Sequence, residues 1–252
     1  MKTAPLVPSL KYFIRLNLRR LIPFRLYARY LANWKTYSAQ AGAEPLHWQD
    51  RYPCLFDRTE TTPFDPHYFY QSLWAFQKIL DAKPDSHLDV GSAINFVGLV
   101  AAVTRVTFID IRPVLVEWET FRPVAGNLTV LPLRGNSIKS LSCLHVAEHV
   151  GLGRYGDPLD PHGTRNAAAE LKRVLCPGGN LYFSLPVGRA RVCFDAHRIH
   201  APSQILEYFD GLHLEDFALV DDAGQFYPGA NPSDAADASY ACGLFHFTKP
   251  EL

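Results

Sequence analysis

The sequence predicts an α/β protein built on a doubly wound, mostly parallel sheet, and three observations predict it. From residue 86 onward, short apolar runs alternate with stretches of helical apolar spacing, the pattern of parallel strands joined by crossover helices. The run at 87–91 ends in Gly91-Ser92, and an apolar helical stretch follows at once. In such sheets, ligands bind beyond the carboxyl ends of the strands, where a glycine lets the backbone approach closely. A second run, 106–110, ends in Asp110, 19 residues after Gly91. That is the place of the acid that hydrogen-bonds ribose hydroxyls in nucleotide-binding α/β folds.

The elements follow in order. Residues 1–40 hold eight Lys or Arg and no acid, which leaves 17 basic and 25 acidic residues (−8) for the rest of a chain that is neutral as a whole. Residues 8–36 read as two short helices separated at Pro23. In the first, Lys11, Arg15 and Arg19 recur at i, i+4 beside Ile14, Leu18 and Leu21. In the second, Phe24, Tyr27, Leu31 and Trp34 form an apolar stripe, with Arg25 and Arg29 on another face. Two readings stand: an amphipathic contact with an anionic membrane surface through 8–36, or a helical cap packed on the main domain. Residues 37–65 are irregular, so the expected division is a basic helical extension with linker at 1–65 and an α/β domain at 66–252. Asp65 is placed to cap a helix that has Pro66 at its first position and Leu73, Phe76 and Leu80 as apolar spacing. Strands are expected at 87–91, 106–110, 140–145, 180–185, 214–220 and 243–248, and helices at 94–103, 165–175 and 203–209. The last two strands read as an antiparallel hairpin at the sheet edge.

Composition narrows the function classes. A hydrophobic fraction of 48% and a charged fraction of 20% are those of a soluble globular chain. No apolar run approaches the roughly 18 residues of a membrane-spanning helix, and no signal-peptide pattern opens the chain. Five scattered cysteines without a C-x-x-C pair fit reduced thiols. The expected location is therefore cytoplasmic, with any membrane contact peripheral to the inner face. The acidic bulk of the chain opposes the broad phosphate-tracking surface of nucleic-acid binders, so no nucleic-acid partner is expected. Histidines such as His47, His67, His162, His213 and His246 are too dispersed along the chain to suggest a metal site. His145-Val-Ala-Glu148-His149 spells H-x-x-E-H, but inverted zinc peptidases need both histidines on one helix face. Here 141–146 is strand-like and glycines follow at 151 and 153. No metal is expected.

Four motifs then carry a resemblance. Leu88-Asp89-Val90-Gly91-Ser92 resembles the first motif of class I S-adenosylmethionine-dependent methyltransferases, and Phe108-Ile109-Asp110 resembles the second. Val146-Ala147-Glu148-His149-Val150 is similar to the Glu-His pair many of them carry after the fourth strand. Leu171-Lys-Arg-Val-Leu-Cys-Pro-Gly178-Gly179 resembles their turn before the fifth strand. Residues 145–158, with 108–113 and 194–198, further resemble the signature of an uncharacterised methyltransferase-like family over roughly residues 50–250. The resemblance implies a Rossmann-like, seven-stranded sheet. It also implies S-adenosylmethionine as cofactor, and methyl transfer to an unidentified small-molecule or glycan acceptor.

Two departures from the methyltransferase pattern matter. Gly91-Ser92-Ala93-Ile94-Asn95-Phe96 lacks the second and third glycines, so side chains stand where the cofactor's amino-acid tail would pass. The acid expected before the fourth strand to bind the adenine amino group is replaced, in 131–138, by Asn136. The implied cofactor residues are Asp89, Gly91, Ser92, Asn95, Phe96, Asp110, Ile111, Asn136 and His145. Glu148 or His149 is the candidate base, Arg154 and Arg198 are candidate clamps for an anionic acceptor, and Tyr155, Asp157 and His200 lie beside them. The degenerate loop keeps a second function open: a catalytically inactive methyltransferase-like binding or scaffold protein.

Overall fold

The computed structural model describes residues 10–112 and 114–251, in two compact units, Met1–Pro63 and Phe64–Leu252. In the first unit, α1 (Leu10–Ser38) is one continuous helix, which corrects the expectation of two helices divided at Pro23. A proline lacks one N–H and so leaves one i→i−4 bond unmade, but helix continues on both sides of it. The basic stripe of Lys11, Arg15 and Arg19 beside Ile14, Leu18 and Leu21 lies outside the residues whose side chains are described. Farther along, Trp34 packs edge-on against Tyr30 and against Trp48 of the following segment, with ring centroids 6.1 and 5.9 Å apart. Arg29 donates to the carbonyl of Leu55 (3.3 Å). Phe24 and Leu31 of the expected apolar stripe remain exposed. Among the described residues, no helix is long and apolar enough to cross a membrane.

The second unit opens with α2 (Pro66–Ala82), capped as its sequence predicts. The Asp65 carboxylate accepts from the backbone N–H of His67 and Tyr68, and Pro66 occupies the first turn. Then come β1 (Ser86–Val90), α3 (Ile94–Ala101), β2 (Arg105–Asp110), β3 (Phe121–Ala125), β4 (Ile138–Leu144), α4 (Gly163–Val174) and β5 (Leu175–Val187). A two-stranded ribbon, β6 (Arg191–Cys193) and β7 (His197–Ile199), precedes α5 (Pro202–Tyr208). The chain closes with β8 (His213–Val220), β9 (Phe226–Tyr227) and β10 (Ala241–Thr248).

The main sheet runs in the order β3-β2-β1-β4-β5-β10-β8-β9. Strands β1 to β5 pair in parallel, while β10 is antiparallel to both of its neighbours. The sheet is mostly parallel, as expected, and short β9 makes it eight-stranded. The final pair is antiparallel, as expected, but β10 inserts between β5 and β8 and does not lie at the edge. Phe245 and Phe247 of β10 are buried in the core together with Phe183 of β5. Helices α4 and α5 cover one face with Ala167, Leu171 and Ile205. Helices α2 and α3 cover the other with Trp74, Ile79, Val97 and Val100.

Strand β3 is absent from the sequence expectation because Pro123 sits in its middle. Proline cannot donate to a ladder and is tolerated on sheet edges; β3 is an edge strand, and among the described residues β2 is its one partner strand. Strand order reverses between β1 and β4, so the crevice beyond their carboxyl ends is the ligand position the topology offers.

Candidate active site

A cavity of about 450 Å³ opens in that crevice, within the roughly 300–1,000 Å³ usual for small-molecule sites. The turn after β1 forms its floor. Gly91 adopts φ +72°, and a Cβ there would lie 2.8 Å from Val146 Cγ1, so both conformation and close approach demand glycine. Beneath the turn, Asp89 is fully buried and accepts from the Ser92 N–H (3.0 Å) and the Ser142 hydroxyl. His87 bridges the hydroxyls of Ser140 and Ser142, at 2.8 Å each. Burial pushes the Asp89 carboxyl up to about 6 against the pull of these hydrogen bonds. Asp89 thus stands under the loop and outside the cavity, holding it from below.

The missing glycines are accommodated by the way the side chains turn. The Ser92 hydroxyl is drawn inward to accept from Leu144 N–H (3.0 Å). Asn95 is exposed, and Phe96 is buried in the core against α2 and the sheet. Neither Asn95 nor Phe96 lines the cavity, which corrects their expected place. Gly91, Ser92, Ala93 and Ile94 do line it.

Asp110 and Ile111 line the next wall. Asp110 Oδ1 accepts from Arg112 N–H (2.7 Å), and among the described residues Oδ2 has no protein donor. Beyond them, Gly126, Asn127 and Leu128 at the end of β3 complete that wall. Asn127 Oδ1 accepts from both the N–H and the hydroxyl of Thr129, at 2.9 Å each. Its amide N–H₂ is left with no protein acceptor among the described residues. Asn136 lies elsewhere. It precedes β4, at the opposite end of the sheet, is exposed, and accepts from Lys249 Nζ (2.7 Å). The amide that borders the cavity is therefore Asn127, and Asn136 is a surface turn residue with φ +55°. The signal was a second Gly-Asn pair, 126–127, hidden behind the unrecognised strand.

On the far side stand His145, His149, Tyr155, Asp157 and Tyr68. Tyr155 is flanked by Arg112 and Arg154, whose guanidinium carbons lie 4.2 and 5.0 Å from its ring centroid. His149 Nδ1–H donates to the Ala196 carbonyl (2.6 Å), which leaves Nε2 as its other functional nitrogen, 3.6 Å from Glu148 Oε1. Asp157 secures its own loop, accepting from Gly151 N–H (2.5 Å) and Tyr155 N–H (3.3 Å).

The other expected acceptor residues are placed differently. Glu148 is 1% exposed and lies behind the histidines, so it reaches the cavity only through them. Arg198 is buried and donates to the carbonyls of Val150 (2.5 Å) and Asp160 (2.9 Å). It braces the 150–160 loop and does not serve as a clamp. Arg154 is exposed and donates to the Ala196 carbonyl (2.9 Å). His200 is buried, and burial pushes it down to about 4.

Behind the cavity the fold assembles a buried group that sequence spacing does not show. His145, at φ +55°, places Nδ1 3.1 Å from Glu148 Oε1 and Nε2 3.1 Å from Cys242 Sγ. The His145–Glu148 contact is an ion pair without hydrogen-bond alignment, since both Glu148 oxygens lack a hydrogen-bond donor among the described residues. Burial alone would hold the His145 imidazole down, but the Cys242 sulfur and the Glu148 carboxylate outweigh it and push it up. Burial likewise opposes ionisation of Glu148, and His145 together with His149 overcomes it and holds Glu148 below the usual carboxylate range. His67, from the first turn of α2, stacks on Tyr240 and sits 5.5 Å from the His145 ring centroid. Burial, then the neighbouring charge of His145, pushes His67 down to about 4.

Comparison with known proteins fits this geometry. The profile of a family described as Caenorhabditis protein of unknown function, DUF268, matches residues 136–218. No curated protein matches the chain by sequence. Among solved structures, the N-methyltransferase NodS from Bradyrhizobium japonicum, in complex with S-adenosyl-L-homocysteine, aligns with TM-score 0.53 and 16% identity over 79% of this chain and 92% of its own. A 1,6-didemethyltoxoflavin-N1-methyltransferase from Burkholderia thailandensis aligns with TM-score 0.50 and 15% identity over 99% of this chain and 94% of its own. The [4+2]-cyclase SpnF aligns with TM-score 0.53 and 17% identity over 73% and 81%. The chain has the Rossmann-like fold of class I S-adenosylmethionine-dependent methyltransferases. That this fold also carries a cyclase shows that the fold alone does not decide the reaction.

Proposed function

We propose that the chain binds S-adenosylmethionine in the cavity beyond β1, β2 and β4 and transfers its methyl group to a small-molecule or glycan acceptor. The observation that carries this reading is the convergence on one cavity of the Gly91 turn, Asp110 at the end of β2 and Asn127 at the end of β3. In this reading Asp110 Oδ2 accepts from the ribose hydroxyls, and the Asn127 amide offers a donor to the adenine edge. The inward turn of Ser92 leaves room for the amino-acid tail. The cofactor supplies an electrophilic methyl on a sulfonium, and the protein's task is to hold the acceptor in line with it. His149, which lines the cavity with Glu148 behind it, is the residue assigned here to take a proton from a hydroxyl acceptor. Arg112 and Tyr155 form the opposite lip. Titration calorimetry with S-adenosylhomocysteine tests the reading: saturable binding with one site is expected, and no heat at millimolar ligand would overturn it. Binding without methyl transfer to any acceptor in a metabolite pool would favour a cofactor-binding scaffold.

The two amides separate cleanly. Asn127→Ala is expected to weaken S-adenosylhomocysteine binding roughly 2- to 10-fold, the worth of one neutral hydrogen bond. Asn136→Ala is expected to leave that affinity unchanged and to cost about 1 kcal/mol of stability, because alanine at a left-handed φ is strained. Calorimetry and urea melts on both variants check the pair, and equal losses of affinity would return Asn136 to the site.

A further inference from the structure

His67, His145 and Cys242 reach one point from three separate elements: the first turn of α2, the end of β4 and the start of β10. Their nitrogen and sulfur ligand atoms lie within 4.8 Å of one another, and all three residues are buried. We propose that these three side chains bind one divalent cation of the zinc class; His145 also borders the cavity, but the proposal does not depend on the methyl-transfer reading.

Four observations support it. The donor set, two imidazoles and one sulfur, is that of tetrahedral zinc. A zinc ion with bonds of about 2.0–2.3 Å holds its ligands roughly 3.3–3.8 Å apart. The 3.1 Å contact between His145 Nε2 and Cys242 Sγ needs only a small opening, and His67 only a modest approach. Glu148 lies against His145 Nδ1 at 3.1 Å. A small turn of either side chain would let that carboxylate accept the Nδ1–H, and such a partner fixes the tautomer that presents the other nitrogen to a metal. Charge also balances: a 2+ ion, the Cys242 thiolate and the Glu148 carboxylate sum to zero, which suits a dry interior. Binding releases two protons to solvent, that of the Cys242 thiol and the one His145 gives up at Nε2, so both ligating imidazoles are neutral.

The same contacts also spell a Cys–His–Glu nucleophile. That reading fails on access, because Cys242 is wholly buried and does not line the cavity.

The test uses the full chain, stripped with chelator and titrated with Co²⁺ and then Zn²⁺. One equivalent of cobalt should produce tetrahedral d–d absorption together with a thiolate-to-cobalt charge-transfer band, and zinc should displace it. The band should disappear in Cys242→Ser and persist in Cys54→Ser, Cys176→Ser and Cys193→Ser. Absence of the charge-transfer band in the wild-type chain would overturn the proposal whatever the variants do. So would a band that survives Cys242→Ser.

Discussion

Replacing Glu148 by alanine is expected to remove about 3–5 kcal/mol of folding stability, the usual cost of leaving one partner of a buried charge pair alone. The carboxylate lies at 1% exposure, 3.1 Å from His145 Nδ1 and 3.6 Å from His149 Nε2. Without it, positive charge around His145 stays buried with no neutralising partner. Glu148→Gln fills the same volume without the charge, so it should fall close to the alanine variant if charge is the cause. If Glu148 only fills space, the glutamine variant should lie within about 1 kcal/mol of wild type. A cycle with His145→Leu decides further. Contacting members of one network couple by about 0.5–3 kcal/mol, so Glu148→Leu with His145→Leu should cost clearly less than the two single changes added. Guanidinium denaturation with an unchanged slope reads all four proteins, and strict additivity would sink the argument.

The same cluster shows where sequence reading ends. The frame from Asp89 to Asp110 was legible because it is local: one strand, one glycine turn, one helix and one strand, with every signal inside 22 residues. The cap at Asp65-Pro66 was legible for the same reason, since a side chain two or three residues away satisfies it. Asn127 was not. A proline inside β3 hides the strand signal, and the Gly-Asn pair at 135–136 stands at the end of β4 away from the cavity that Asn127 lines. Arg198 and Glu148 look like acceptor chemistry in a one-dimensional string, but burial turns the first into a loop brace and places the second behind two histidines. His67 and Cys242 stand 175 residues apart. No spacing rule joins them. The insertion of β10 between β5 and β8 brings the cysteine within reach of His145 at the end of β4 and His67 on α2, whereas the sequence pattern of the last two strands fits an edge hairpin.

Asp110→Ala is expected to weaken S-adenosylhomocysteine binding roughly 10- to 150-fold, equivalent to about 1.5–3 kcal/mol for hydrogen bonds to a charged acceptor. The carboxylate lines the cavity, and its Oδ1 is already occupied by the Arg112 N–H. The remaining oxygen is therefore the one that answers to ligand. Asp110 ends its strand with a side chain still partly open to solvent, so truncation leaves no buried group unpaired. Stability should change by less than about 1 kcal/mol, and circular dichroism should not change. Asp110→Asn keeps one acceptor oxygen and removes the charge, so its affinity should fall between wild type and alanine. The contrast with Glu148 is the sharper test of the architecture. Loss of Asp110 should cost binding and spare the fold, whereas loss of Glu148 should cost the fold first. An Asp110→Ala protein that binds S-adenosylhomocysteine within twofold of wild type would remove the ribose role from β2. It would leave the Gly91 turn and Asn127 as the remaining grounds for a nucleotide in this cavity.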